Sequence, residues 1–204
     1  MHSKQVIESG TPLTHAKKAL IMLHGRGGSA EDIISLASYL PLEGFYIVAP
    51  QATNHTWYPL SFLAPISQNE PWLGSALDRV KELSDHIQQA GIAPSNIFIL
   101  GFSQGACLTL EFAARNAQKW GGVIALTGGL IGDQLEPSRY PGDFSGTPIF
   151  MSNGSNDPHV PLMRSEQSKQ QLEKMNAKVE LLVYPGRPHT ILEEELKAAA
   201  GYLR

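Results

Sequence analysis

Ser103, Asp157 and His189 are residues of types that can pass a proton between them, and they stand in the chain order and local settings that acyl transfer needs. The serine sits in Gly101-Phe102-Ser103-Gln104-Gly105, after the strand-like run Asn96 to Leu100 and before an apolar helical segment starting at Gly105. In that setting G-x-S-x-G is a nucleophile elbow, a turn sharp enough to lift the hydroxyl above a sheet. Its glycines are needed where a Cβ would collide with neighbouring backbone. Without both flanks the same letters describe only a glycine-flanked loop. A serine hydroxyl is a weak nucleophile near neutral pH, so it needs a base, and the base needs a partner to orient it. On this pattern an acid and then a histidine follow, each after a strand. "PIFMSNGSNDPHVP" places Asp157 after the run Ile149 to Met151, and "VELLVYPGRPHTI" places His189 after Val179 to Tyr184.

Rival acids and bases have plainer readings. Asp133 and Asp143 fall inside a long loop and read as solvated. Glu193, Glu194 and Glu195 suit the N-terminus of a helix, where the macrodipole favours negative charge. His2, His15 and His86 read as surface residues. His159 lies two positions from Asp157, too near to be the base that Asp157 orients, and is expected at the rim of the site.

A tetrahedral intermediate also needs donors for its oxyanion, normally the backbone N–H after the nucleophile and one from an early loop. Gln104 fits the first and Arg26, in "IMLHGRGGSAED", the second, with His24 shaping that loop by hydrogen bonding. The loop lacks the Lys-Ser/Thr ending of a phosphate cradle, and no His-Glu-x-x-His or comparable metal cluster occurs. The Arg26 side chain has two readings: pointing to water, or meeting an anionic group on a substrate. Trp57, Tyr58, Phe62 and Trp72 cluster in or beside the loop Gln51 to Glu70, either as a pocket wall or as a satellite core. Trp57 and Phe62 are the candidates for the wall.

The elements that must position these residues follow from patterning. Short, β-rich, non-alternating runs at Ala19 to Leu23, Phe45 to Ala49, Ile97 to Leu100, Val123 to Leu126, Ile149 to Met151 and Val179 to Tyr184 predict strands buried on both faces of a mostly parallel sheet. Helical spacing predicts a helix over Leu73 to Ala90, ended by Gly91 and Pro94. Another starts at a Ser29 cap, with Asp32 reaching back, and a third follows Thr190, with Glu193 placed for a capping box. Alternating strands and helices imply one α/β domain over residues 1–204, with helices on both faces and its site beyond the carboxyl ends of the strands.

The 204 residues are 42% hydrophobic and 17% charged, with a net charge of -3. That excludes a disordered chain and the electrostatic footprint of a nucleic-acid binder. No signal-like N-terminal segment and no membrane-length run occurs, and Cys107 is the single cysteine, which together point to a reducing cytoplasm.

Taken as a set, "APQA", "GFSQGA", "GSNDPHVP", "YPGRPH" and the Leu23-His24-Gly25 loop resemble the carboxylesterase/phospholipase family of serine hydrolases, which includes acyl-protein thioesterases and small bacterial esterases. The resemblance implies an α/β-hydrolase fold without a large cap domain, a triad of Ser103, Asp157 and His189, and oxyanion donors at Arg26 and Gln104. It also implies a small-molecule ester as substrate, with thioesters as a variant; no cofactor, metal, nucleic acid or membrane partner is expected from the composition and motifs above. Arg26, Trp57, Phe62 and His159 are the expected substrate contacts. Arg26-Gly27-Gly28 stands where the thioesterases have Leu-Gly-Asp, so the likeness is closer to the bacterial esterases. The alternative is a protein of the same fold that binds a small ligand without turning it over. The oligomeric state is not written in these features.

Overall fold

A computed structural model describes residues 1–204. Its centre is one seven-stranded sheet made of β1 (Val6–Gly10), β2 (Lys18–Leu23), β3 (Phe45–Pro50), β4 (Ile97–Phe102), β5 (Gly122–Leu126), β6 (Pro148–Gly154) and β7 (Lys178–Tyr184). The order is β1-β3-β2-β4-β5-β6-β7, parallel throughout except for β1, which pairs antiparallel with β3. The helices are α1 (Ala30–Ser35), α2 (Ile66–Asn69), α3 (Trp72–Gln89), α4 (Gln104–Arg115), α5 (Leu162–Lys174) and α6 (Glu193–Ala200).

Alternation along the central strands sorts two apolar layers. Ala19, Ile21 and Leu23 of β2 face a layer shared with α3, α4 and Leu172 of α5. Leu20 and Met22 face the opposite layer, with Ala30 and Ile33 of α1 and Leu196 and Ala199 of α6. Burial on both faces explains the unbroken apolar runs of β2 to β6. β7 departs from that expectation: as an edge strand it has one neighbour, and none of its residues is fully buried. β1, "VIESG", is the other edge and carries too short an apolar run to announce itself in the sequence.

Two helix starts behave differently. Ser29 caps α1 as expected, its hydroxyl accepting from the Asp32 N–H at 3.1 Å while the Asp32 carboxylate accepts from the Ser29 N–H at 2.8 Å. At α6 the expected reach-back by Glu193 is replaced by Glu195, which accepts from the Leu192 N–H at 2.8 Å. The helix begins later than Thr190, and Glu193 instead pairs with Lys197 on the exposed face. α5 was not legible from periodicity, because most of its buried positions are polar: Arg164, Ser165, Ser168 and Gln171.

The long segment from Leu130 to Thr147 is tied to α4 by Glu111, whose side chain is fully buried. One carboxylate oxygen accepts from the Ile131 N–H and the Tyr140 hydroxyl, both at 3.0 Å, and the other pairs with Arg115 at 2.8 Å. Cutting such a charge out leaves buried donors without acceptors. Glu111→Ala is therefore expected to lose about 3 kcal/mol of stability, on the order of 10 °C in Tm by calorimetry, with the loop from Leu130 becoming protease-sensitive.

Candidate active site

β4 runs directly into α4 through Ser103, which adopts φ 54°, ψ -117°. A non-glycine residue there is strained, at a cost of about 1–3 kcal/mol that its surroundings must offset. They hold the turn at both ends: the Ser103 N–H donates to Leu126 O, and Ser103 O accepts from the Cys107 N–H, each at 3.0 Å. The flanking glycines answer a packing demand. A Cβ on Gly101 would lie 2.2 Å from Gly105 O, and one on Gly105 would lie 2.1 Å from Leu23 O. The helix start thus presses against the end of β2, and the loop after β2 arrives beside the serine.

Asp157 comes from the loop between β6 and α5, and His189 from the loop between β7 and α6. The structure brings these side chains together with the serine. His189 Nδ1 donates to Asp157 Oδ2 at 2.7 Å, which leaves Nε2 as an acceptor 2.8 Å from Ser103 Oγ. The other Asp157 oxygen accepts from the N–H groups of His159 and Val160, both at 2.9 Å. Burial alone would raise this carboxyl, but the bonds from His189, His159 and Val160 outweigh it and hold Asp157 below the ordinary carboxylate range. The aspartate is therefore an anion fixed in one orientation. The His189 ring is flanked by Phe102 at 5.4 Å and edge-on by His159 at 4.8 Å, centroid to centroid.

Arg187 lies two residues before His189 and is assigned no role by the sequence motifs. Its guanidinium is buried and donates to Glu195, Thr190 O and Thr127 Oγ1, binding the histidine loop to α6 and to the end of β5. An arginine so near the histidine, with a glutamate at the next helix start, was the signal available.

At the early loop, His24 is buried and makes two fixed bonds. Its Nε2 accepts from the Ala52 N–H at 3.1 Å, so Nδ1 carries the proton and donates to Gly25 O at 2.7 Å. Neither the Arg26 nor the Gln104 backbone N–H donates to any acceptor of the chain. For Gln104 this follows from its place as the first residue of α4, where helical N–H groups have no intrahelical partner. Gly25 lies against Ser103, since a Cβ on it would be 3.4 Å from the Ser103 Cβ.

A cavity of about 420 Å³ opens in front of the serine; Arg26, Phe62, Ser103, Gln104, His159 and His189 line it, together with Tyr58, Pro59 and Leu60. Trp57 does not. It is fully buried, its ring 4.9 Å from that of His24 and its indole N–H donating to His24 O at 2.8 Å. A large apolar ring with one donor is better accommodated in the core with a carbonyl partner than in an open wall. Tyr58, its neighbour, takes the wall position. The Arg26 side chain is exposed at the cavity and tied to the facing loop: its guanidinium donates to Thr56 Oγ1, Pro59 O and Leu60 O at 2.9, 3.0 and 2.7 Å. Cys107 touches the cavity, but burial pushes its thiol up to about 12, which leaves it protonated and unreactive. No group of three His, Cys, Asp or Glu side chains is placed to hold a metal ion, and no helix is long and apolar enough to cross a membrane.

A seven-stranded, mostly parallel sheet with helices on both faces and a serine elbow after a central strand defines an α/β-hydrolase. The profile of the phospholipase/carboxylesterase family matches residues 2–204, and the chain belongs to that family of serine hydrolases. It is 29% identical to carboxylesterase SOBER1 of Arabidopsis thaliana, over 93% of this chain and 90% of that one. It is 28% identical to acyl-protein thioesterase 1 of Saccharomyces cerevisiae, over 93% and 92%. Among solved structures it is similar to a phospholipase/carboxylesterase from Dyadobacter fermentans, with 55% identity, a TM-score of 0.98, and coverage of 100% of this chain and 98% of that one. The activity this family supports is hydrolysis of esters or thioesters.

The buried His24 gives the site a measurable acid sensitivity. Burial is the main influence and holds its pKa below the ordinary histidine value of about 6.5, against the opposing bond to Gly25 O. As pH falls below that value, the unfolded chain takes up a proton here that the folded chain refuses, so stability is full above the window and is lost through it. For one histidine the slope is at most about 1.4 kcal/mol per pH unit. His24→Gln should flatten the decline of Tm between about pH 7 and about pH 5, and titration by differential scanning fluorimetry reads this directly. An unchanged slope would show that His24 takes up its proton alike in the folded and the unfolded chain.

Proposed function

We propose that this protein hydrolyses carboxylic esters of small to medium acyl groups, and thioesters of the same acids, through a covalent acyl-enzyme. The observation that carries the reading is the continuous chain Ser103 Oγ, His189, Asp157 with contacts of 2.8 and 2.7 Å. His189 Nε2 takes the hydroxyl proton as Ser103 Oγ attacks the ester carbonyl, and Asp157 holds the imidazole in its Nδ1–H tautomer and stabilises the charge it gains. The carbonyl electrons collect on oxygen, for which the Arg26 and Gln104 N–H groups are the donors. When the intermediate collapses, the C–O bond to the alcohol breaks and His189 returns its proton to the departing oxygen. Water then repeats the sequence on the acyl-serine and releases the acid.

The cavity of about 420 Å³ is at the small end of what ligand sites use, which favours compact acyl groups over long lipid chains. Phe62 and Leu60 give it apolar walls, and His159 stands exposed at its rim. The whole reaction uses side chains and backbone of this chain, without a cofactor.

Ser103→Ala and His189→Ala should each lower kcat by about 10⁶-fold on a p-nitrophenyl ester, because the members of such a relay act as a unit. Asp157→Asn should cost about 10⁴-fold, the imidazole then favouring the wrong tautomer. Stoichiometric labelling of Ser103 by a fluorophosphonate, assayed by intact mass, is expected in the parent chain and absent in Ser103→Ala. Turnover that survives Ser103→Ala would end the reading, and a labelled serine with no turnover on an ester and thioester panel would favour ligand binding without catalysis.

A further inference from the structure

Arg26 and Gln104, whose free backbone N–H groups are the donors in the proposed mechanism, also send their side chains to one and the same loop. Arg26 donates to Thr56 Oγ1, Pro59 O and Leu60 O. The Gln104 amide donates to Tyr58 O at 2.8 Å and to Thr56 Oγ1 at 3.2 Å, while its oxygen accepts from the Trp57 N–H at 2.9 Å. The successive carbonyls of Tyr58, Pro59 and Leu60 are thus all taken by these two side chains, and Thr56 is a node common to both. The loop is fixed independently from behind. Buried Asn69 accepts from the Leu60 N–H at 2.9 Å and donates to Ser61 O at 3.0 Å, the Trp57 indole holds His24 O, and the Gly27 N–H donates to His55 O at 2.7 Å. Tyr58, Pro59 and Leu60 meanwhile form one wall of the cavity before Ser103.

We propose that the Thr56–Leu60 loop is a brace for the oxyanion site, and that the Arg26 and Gln104 side chains are positioning residues that lock both backbone donors onto it. The inference rests on the proposed ester hydrolysis and adds a regulation of that same site by its acyl cavity. An oxyanion donor accelerates reaction only if it already points at the place where charge develops, and a displacement near 1 Å can cost about 100-fold in rate. Arg26 is in an exposed, glycine-flanked loop that the Trp57–His24 and Gly27–His55 bonds hold on either side of it. The fork of three bonds from its own side chain adds restraint at the donor residue itself. Because the braced loop is also the cavity wall, an acyl group that fills the cavity presses on the element that aligns the donors. Its binding energy is then expressed in kcat as well as in KM.

The test compares Arg26→Met, Arg26→Lys and Gln104→Ala with the parent chain, using p-nitrophenyl acetate, butyrate and hexanoate and a hexyl trifluoromethyl ketone. Ser103 Oγ adds to the ketone carbon, its proton passes to His189, and the carbonyl electron pair becomes an oxyanion, so the inhibitor reads donor alignment without turnover. The expected result is a fall in kcat of about 10–100-fold and a matching rise in the ketone Ki for Arg26→Met and Gln104→Ala, with KM moving by less than about 3-fold. Arg26→Lys should restore part of the loss, since an ammonium can still donate to one or two of the carbonyls. The rise of kcat from acetate to hexanoate should flatten in both loss variants, and the double variant should lose less than the product of the single losses. If KM rises while kcat and the ketone Ki stay at parent values, the side chains merely shape the cavity and the brace is wrong. Circular dichroism and Tm accompany each variant; should Arg26→Met unfold, Arg26→Lys and Gln104→Ala decide by the same criteria. A parent chain that hydrolyses none of the esters would instead overturn the proposed function itself.

Discussion

The site depends on one close approach of backbone to backbone, that of Gly105 at the start of α4 to the Leu23 carbonyl at the end of β2. With no Cβ in the way, the first turn of the helix lies against the neighbouring strand. That contact puts the elbow serine and the loop Leu23-His24-Gly25-Arg26 side by side. A methyl group on Gly105 would have to displace backbone, which a packed interior resists. Both the Ser103 turn and the cavity in front of it are arranged around this junction between β2 and β4.

The loops that meet there are held by buried polar groups rather than by apolar packing. Each has its own anchor: His24 and Trp57 under the early loop, Asn69 and Gln104 on the Thr56–Leu60 segment, and Arg187 with Glu195 beneath the histidine loop. Hydrogen bonds of this kind contribute little net stability, yet leaving one partner unmade is costly, so they select one arrangement sharply. This suits a site whose groups must hold a geometry before substrate arrives. Asp157 shows the same economy. Burial disfavours its charge, and three donors more than offset that, giving an oriented anion instead of a neutral acid.

How much could be read in advance varied with the kind of signal. Strands β2 to β6 were visible because burial on both faces demands unbroken apolar runs, and α3 because one apolar face imposes a helical period. The elements that escaped are those whose neighbours supply what their own residues lack. β1 is a short edge strand, and α5 buries mainly polar side chains whose partners lie elsewhere in the chain. Trp57 is expected at the cavity wall and lies in the core while the buried Tyr58 beside it touches the cavity, since adjacent residues of one irregular loop carry no periodicity to say which meets the site. The bonds of the Arg26 side chain are hidden for a related reason: two of its three acceptors are backbone carbonyls over 30 residues away, and carbonyls have no sequence signature.

The sequence by itself determined the reacting types, their order and the glycines without which the elbow could not form, because each is a demand of local chemistry or local sterics. It also determined that a mostly parallel sheet would carry them, since hydrophobic runs encode burial. Only the tertiary structure decided that His189 meets the serine at bonding distance, which aromatic ring lines the cavity, and what the Arg26 and Gln104 side chains hold. Those outcomes rest on distances between segments far apart in the chain, and directional bonds between such segments exist only once the packing of the sheet and helices has set where each loop lies.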